Sequence, residues 1–229
     1  MSGPGGGRAL GFELVDGGAL TIEPGRLVIA GYTGRDQSAV RAHIEELARI
    51  GVPPPPSVPM FYEVPIELVT TEPSIQVDGP ATSGEVEPVI LRWGGNCYVG
   101  LGSDHTDRDI EKRDVRESKA SAAKPVGRRL LELDSLLDGW DECRLRCTVD
   151  GQPYQEGFLS GLMTPAALIE ALEASGDEFE DGTLMFCGTL PLLTGSFTFG
   201  ARYELELTTP NGRSLSHTYD VRSPSGVAR

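Results

Sequence analysis

Glycine and proline occur 29 and 17 times in 229 residues, so few stretches of this chain run uninterrupted for the length of an ordinary helix. Both residues stop helices and open turns. A chain punctuated this densely is sheet-rich, built of many short strands rather than a helix bundle. Its length suits one such domain, with a core large enough to need no disulfide staples.

The runs between the breaks read mostly as strands. Gly11 to Asp16, Ala19 to Glu23 and Arg26 to Gly31 come first, with Asp16-Gly17-Gly18 turning the first pair. The continuous apolar run Leu27-Val28-Ile29 marks a strand buried on both faces. A helix is expected from about Asp36 to Ile50, capped by Asp36 or Ser38, with Val40, Ile44 and Leu47 on one stripe and Gly51 closing it. Pro53 to Pro56 must be extended. Ser74 to Val77, Glu85 to Leu91 and Cys97 to Leu101 read as strands, and Asp107 to Asp114 as a helical turn. Cys143 to Val149 runs into Asp150-Gly151, a hairpin signal, and Asn211-Gly212 joins Tyr203 to Thr208 with Ser214 to Val221 in the same way. Leu184 to Cys187 is a further strand. Thr164-Pro165 places a capping hydroxyl and a first-turn proline ahead of a second helix that ends near Ser175-Gly176. No repeat or linker divides the chain. The expected organisation is a flexible leader over residues 1–9 and a single domain over residues 10–225.

The formal net charge is −14, which disfavours a polyanionic partner such as nucleic acid. The densest basic stretch, Arg108 to Arg129, is interrupted by acids and reads as a solvated face. Cys97, Cys143, Cys147 and Cys187 form no zinc pattern and read as reduced structural thiols. The N-terminal MSGPGGGRAL lacks the apolar core of a signal peptide, and no apolar run reaches the ~20 residues of a membrane span. The cytoplasm is therefore the expected location.

Chemistry concentrates in two segments. In S-G-E-V-E-P-V-I-L, Glu85 and Glu87 sit two apart, and residues i and i+2 of a strand share a face. Two carboxylates held side by side repel unless a proton or cation lies between them, and a hard divalent ion prefers such oxygen donors. A third acid, Asp104, lies on a loop after the next strand.

The segment G-L-G-S-D-H-T-D-R-D-I-E resembles the asparagine-aspartate-x-serine-alanine-arginine-aspartate motif of the fumarylacetoacetate hydrolase superfamily, with Ser103 in place of the asparagine and Thr106, Arg108 and Asp109 matching beyond Asp104. Glu85-Val86-Glu87 resembles its paired glutamates. Gly31 to Asp36, Val52 to Tyr62, Ser118-Lys119-Ala120, Leu162 to Ser175, Gly182 to Pro191 and Gly200 to Leu207 resemble further segments of that family in the same order. The chain is thereby identified as similar to an uncharacterised bacterial branch of the superfamily, marked by S-G-E-V-E-P-V, G-S-D-H-T-D-R and M-F-C-G-T-L-P.

The resemblance implies a β-rich α+β fold, a mixed β-sandwich or β-roll with a few short helices. It implies Mg²⁺ or Mn²⁺ held by Glu85, Glu87 and Asp104, a homodimer, and a metal-dependent hydrolase or lyase acting on a small oxo acid or 1,3-dicarbonyl carboxylate, without nucleic-acid or membrane partners. Hydration, isomerisation and non-catalytic binding are alternatives on the same fold. Lys119, with Lys124 as its rival, would neutralise substrate charge. Arg108, Gly188 and Thr189 would bind substrate, and His43 or His105 would move the proton. The position where the family often carries a catalytic histidine holds Gln37 here.

Overall fold

The computed structural model describes residues 8–49 and 53–223. The leader expected over residues 1–9 lies almost wholly outside them. The expected strands and helices form with boundaries moved by at most three residues, the largest shift being at the helical turn Arg108–Glu111, and the expected stop at Gly51 lies outside the described residues.

An eight-stranded mixed sheet forms the frame. Its order across the sheet is Ala19–Ile22, Leu10–Leu14, Arg129–Glu132, Asn96–Ser103, Val86–Trp93, Thr183–Phe186, Arg26–Gly31 and Met60–Val64. The central hairpin turns at Gly94-Gly95, both at positive φ (60° and 79°), where the Asp181 carboxylate accepts hydrogen bonds from both backbone N–H groups. A five-stranded sheet follows the order Gln152–Phe158, Arg144–Val149, Arg202–Thr208, Ser214–Arg222 and Ser74–Gln76. Asp150-Gly151 and Asn211-Gly212 turn its hairpins as expected.

Alternation along the central strands divides the core in two. Val86, Ile90, Val99 and Leu101 join Leu145, Cys147, Leu205 and Tyr219 between the two sheets. Val89 and Leu91, on the opposite face, join Leu27, Ile29, Leu184 and Phe186. This second cluster also takes in Phe12 and Ile22 from one end of the large sheet and Tyr62 and Val64 from the other. The sheet therefore curls into a roll, and Glu87 lies on its inner face between Val86 and Pro88. The run Leu27-Val28-Ile29 is buried on both faces, as its composition requires.

Helix Pro165–Ala174 starts as read, with the Thr164 hydroxyl accepting from the Ala167 N–H. Helix Gln37–Arg49 is capped by Asp36, whose carboxylate accepts from the backbone N–H groups of Ser38 and Ala39. The short helix Val115–Ala120 was not expected. Its start follows from Asp114, which accepts from the Glu117 N–H, an Asp-x-x-Glu pattern that signals a helix start. All four cysteines are free thiols, three of them buried. No helix among the described residues is long and apolar enough to cross a membrane.

Gly102 shows how tightly the roll is filled next to Asp104. A Cβ there would lie 2.7 Å from Phe186 Cε1 and 2.9 Å from Val89 Cγ2. Gly102→Ala should lower unfolding stability by about 1–3 kcal/mol through overpacking, read as a reduced urea midpoint at unchanged m-value. An unchanged midpoint would mean that the roll yields at this position.

Candidate active site

Three carboxylates come together where the central hairpin ends. Glu87 lies on strand Val86–Trp93 opposite Gly102, and Asp104 follows strand Asn96–Ser103. Glu85 lies one residue before its strand, and its carbonyl accepts from the Asp104 N–H at 3.0 Å. The strand expected from Glu85 starts one residue later, and backbone pairing with Asp104 brings Glu85 to the site.

Each acid has a different partner. Glu85 accepts from Arg108 Nη2 at 2.9 Å. Asp104 accepts from Lys119 Nζ at one oxygen and pairs with Lys124 Nζ at the other, at 2.9 Å. Glu87 accepts from the Gly188 backbone N–H at 2.8 Å, with no cation in direct contact. Gly188 adopts φ 90° and presses against the Thr33 hydroxyl, so only a glycine presents its N–H there.

The charges follow from this geometry. Burial pushes the Glu87 carboxyl well above its usual range, and Asp104 and Glu85 push it further. Burial opposes ionisation of Asp104 too, but the two ammonium groups outweigh it and hold that carboxyl well below the ordinary value. Lys119 is raised, because Asp104, Glu87 and Glu111 together outweigh the cost of burying its charge. Lys124 is lowered, because burial prevails. Glu111 also pairs with Arg108, at 2.9 Å. The site therefore gathers four carboxylates, Glu85, Glu87, Asp104 and Glu111, around three cationic side chains, Arg108, Lys119 and Lys124.

Among the described residues no group of three or more histidine, cysteine, aspartate and glutamate side chains is drawn together closely enough to hold a metal ion. The three expected ligands do not form a ready chelate, because Arg108 and the two lysines already engage Glu85 and Asp104. The donor chemistry nevertheless fits a hard cation. All three are carboxylates, and Glu87 is buried in range of the two others, with no ion pair among the described residues and only the longer-range charge of Lys119 to offset them.

The other expected site residues separate. Lys119 and Lys124, read as alternatives, both touch Asp104, and with Arg108 they lie buried. The reading of Arg108 to Arg129 as a solvated face is corrected for these three cations, whereas Lys112, Arg113, Arg116, Arg128 and Arg129 are exposed as expected. Arg108 donates to Ser83, Glu111 and Glu85, and its guanidinium stacks 3.9 Å from the Phe197 ring centroid, so it braces Glu85 rather than waiting for substrate. His105 is fully buried, with Nδ1 bonded to the Tyr219 hydroxyl at 3.0 Å and Nε2 to the Thr82 hydroxyl at 3.1 Å. Its ring locks the loop in place and is not placed as a base. The Thr189 hydroxyl donates to the Val86 carbonyl and accepts from Gln155, so it ties loop to strand instead of reaching for a carboxylate. Gln37 donates to the Gly34 carbonyl at the exposed start of its helix. His43 belongs to that helix, and its side chain lies outside the described residues.

Sequence reasoning missed three contributors. Gln155 clamps Val86, Thr189 and Leu190 together, and an isolated glutamine in a strand gives no signal of this. Tyr62 places its ring 5.7 Å from Lys119 Nζ. Tyr32, half-buried in a left-handed backbone conformation with φ 58°, is within electrostatic range of the same lysine.

Solved structures with this fold span nearly the same length. Fumarylpyruvate hydrolase from Pseudomonas aeruginosa, in complex with Mn²⁺ and pyruvate, is 19% identical and superposes with a TM-score of 0.65 over 97% of this chain and 98% of its own. 5-Carboxymethyl-2-hydroxymuconate delta-isomerase from Mycobacterium smegmatis is 20% identical (TM-score 0.61, 90% of this chain and 81% of that one). 2-Hydroxyhepta-2,4-diene-1,7-dioate isomerase from Mycobacterium marinum is 17% identical (TM-score 0.62, 90% and 79%). At these identities the likeness shows the fold alone. No curated protein matches the sequence. Residues 30–219 match the family described as "Protein of unknown function (DUF2848)". The chain belongs to that family, and its fold is that of the fumarylacetoacetate hydrolase proteins.

Proposed function

We propose that the protein is a divalent-metal-dependent hydrolase or lyase acting on a small oxo acid or 1,3-dicarbonyl carboxylate. The observation that carries this reading is Glu87, a fully buried carboxylate in electrostatic range of Asp104 and Glu85 whose one direct partner among the described residues is a backbone N–H, with Lys119 acting on it only at longer range. The pyruvate and Mn²⁺ bound by the Pseudomonas relative supply the analogy for the ligand class and the ion.

A Mg²⁺ or Mn²⁺ ion held by Glu85, Glu87 and Asp104 would supply Lewis-acid polarisation of a substrate carbonyl. The chain supplies the rest. Arg108 orients Glu85 through their ion pair at 2.9 Å. Gly188 fixes one oxygen of Glu87 through its N–H. Lys124, fully buried, anchors Asp104 and also donates to the His105 carbonyl at 2.6 Å. Lys119 is the less deeply buried of the two ammonium groups, and we assign it to neutralising negative charge on the substrate. Isomerisation is the second reading, favoured by the two isomerases among the structural relatives and by the hydrogen bonds that engage both ring nitrogens of His105. A cytoplasmic homodimer without nucleic-acid or membrane partners completes the proposal.

Two experiments test it. Added Mn²⁺ should raise the melting temperature in a concentration-dependent way, as binding to the native state alone requires. Turnover in a screen of oxaloacetate, acylpyruvates and 2-oxo-alkenoates should vanish with chelator. Full turnover in the presence of chelator would sink the proposal.

The second experiment uses Glu87→Gln. A carboxyl with a raised folded-state pKa makes the native state bind more protons than the unfolded chain above about pH 4.3. Metal-free wild type should therefore lose stability as pH rises from there through the folded-state pKa, and stay low above it. Glutamine cannot ionise and keeps an oxygen for the Gly188 N–H. The variant should melt higher than metal-free wild type at neutral pH and gain nothing from Mn²⁺. A variant that melts lower, or that Mn²⁺ stabilises as much as wild type, contradicts the assignment.

A further inference from the structure

Resting on that metal reading of the site, we infer that Phe197 is a positioning residue: its ring shields the Arg108 guanidinium from water, and through Arg108 it keeps Glu85 set as a ligand for the ion.

The guanidinium shows what is left for Phe197 to do. Arg108 Nε donates to the Ser83 hydroxyl at 2.7 Å, Nη1 to Glu111 at 2.9 Å and Nη2 to Glu85 at 2.9 Å. Such bonds are made at the edge of a planar group, whose faces have no N–H to offer. Water or a π system can cover a face, and an aromatic ring attracts the cation electrostatically. The Phe197 ring takes one face, its centroid 3.9 Å from Arg108 Cζ. The two partners share the burial unequally. Phe197 stays 38% exposed, whereas Arg108 is 4% exposed. A ring placed so gains little from its own burial. What it removes from water is the cation beneath it, together with the ion pairs to Glu85 and Glu111. Those pairs strengthen as water leaves, because water competes for the same donors and screens the charges.

Phe197 is held over Arg108 by its own segment. Residues 188–199 contain no charged side chain. The segment starts with the Gly188 N–H on Glu87 and the Thr189 hydroxyl on the Val86 carbonyl. It then meets strand Gln152–Phe158, where Leu192 bridges to Gln155 and the Leu193 N–H donates to the Tyr154 carbonyl at 2.9 Å. Beyond Phe197, the Thr198 carbonyl accepts from the Tyr203 hydroxyl at 2.9 Å. Gly200 passes so close to strand Arg144–Val149 that a Cβ would lie 2.1 Å from Val149 Cγ1. One strap thus fixes Glu87 at its start and covers the brace of Glu85 near its end.

The test uses Phe197→Ala, which uncovers the guanidinium, and Phe197→Trp, which keeps an aromatic face on it. Phenylglyoxal labelling of the metal-free protein, read by peptide mass spectrometry, should find Arg108 protected in wild type and in Phe197→Trp, and that protection lost in Phe197→Ala. Exposed Arg113 is the internal standard and should react alike in all three. Calorimetry should show Mn²⁺ affinity weakened about three- to thirtyfold in Phe197→Ala, the range for a lost cation–π contact, and restored in Phe197→Trp. Arg108 still protected in Phe197→Ala, or Mn²⁺ bound there as tightly as by wild type, overturns the inference and leaves the metal reading standing. Mn²⁺ affinity as weak in Phe197→Trp as in Phe197→Ala does the same, because the loss would then belong to the packing of the segment and not to a ring over Arg108. Wild-type protein that takes up no Mn²⁺ overturns both.

Discussion

The site depends on a buried balance of charge. Glu85, Glu87, Asp104 and Glu111 would not tolerate one another's company inside a protein without Arg108, Lys119 and Lys124 among them. Removing carboxylates and ammonium groups from water costs several kcal/mol per ion, and mutual attraction recovers this only where further hydrogen bonds complete the geometry. Those bonds are present: Arg108 also donates to Ser83, Lys124 to the His105 carbonyl, and Glu87 accepts from Gly188. Glu87 is the acid of the four with no direct ion pair among the described residues, which makes it the point where the balance is open to an outside charge.

The fold exists around that cluster in a definite sense. The curled sheet brings the end of one hairpin against the loop after Phe186, and the five-stranded sheet closes over its back. Tyr219 from the second sheet bonds Ser103 and His105, the residues on either side of Asp104. The Asp104 backbone is therefore fixed from behind by one sheet while its side chain is fixed in front by two lysines. Gly102, two residues earlier, leaves no space for a methyl group. An acid held this rigidly can serve as a positioned ligand.

What could be read in advance was local. Asp150-Gly151, Asn211-Gly212 and Thr164-Pro165 announce their turns and cap because the backbone conformations they favour need no distant partner. The run Leu27-Val28-Ile29 announces burial on both faces by composition alone. The acids Glu85, Glu87 and Asp104 were visible through their spacing and their family likeness. Their partners were not. Arg108 and Lys119 look like ordinary surface cations until Glu85, 23 residues away, and Asp104, 15 residues away, are folded against them. His105 looks like a base until Tyr219, 114 positions later in the chain, takes one of its nitrogens. Gln155 carries no pattern at all, and the family likeness that singles out Thr189 does not reveal its bond to Val86, because both roles are set by partners from elsewhere in the chain. Tyr32 is the instructive case. Only the sign of its φ distinguishes it from other half-buried tyrosines, and a sequence does not display φ.

The middle of the large sheet joins Arg26–Gly31, near the beginning of the chain, in parallel to Thr183–Phe186, near its end. Some 150 residues must be gathered into that one closure before the pairing can form, and long-range parallel pairing is slow to nucleate. The Gly188 N–H that receives Glu87 comes just two residues after this late strand. Glu87 cannot settle onto its Gly188 donor before that closure has formed, so dehydration of the charge cluster is tied to one long-range pairing of the sheet.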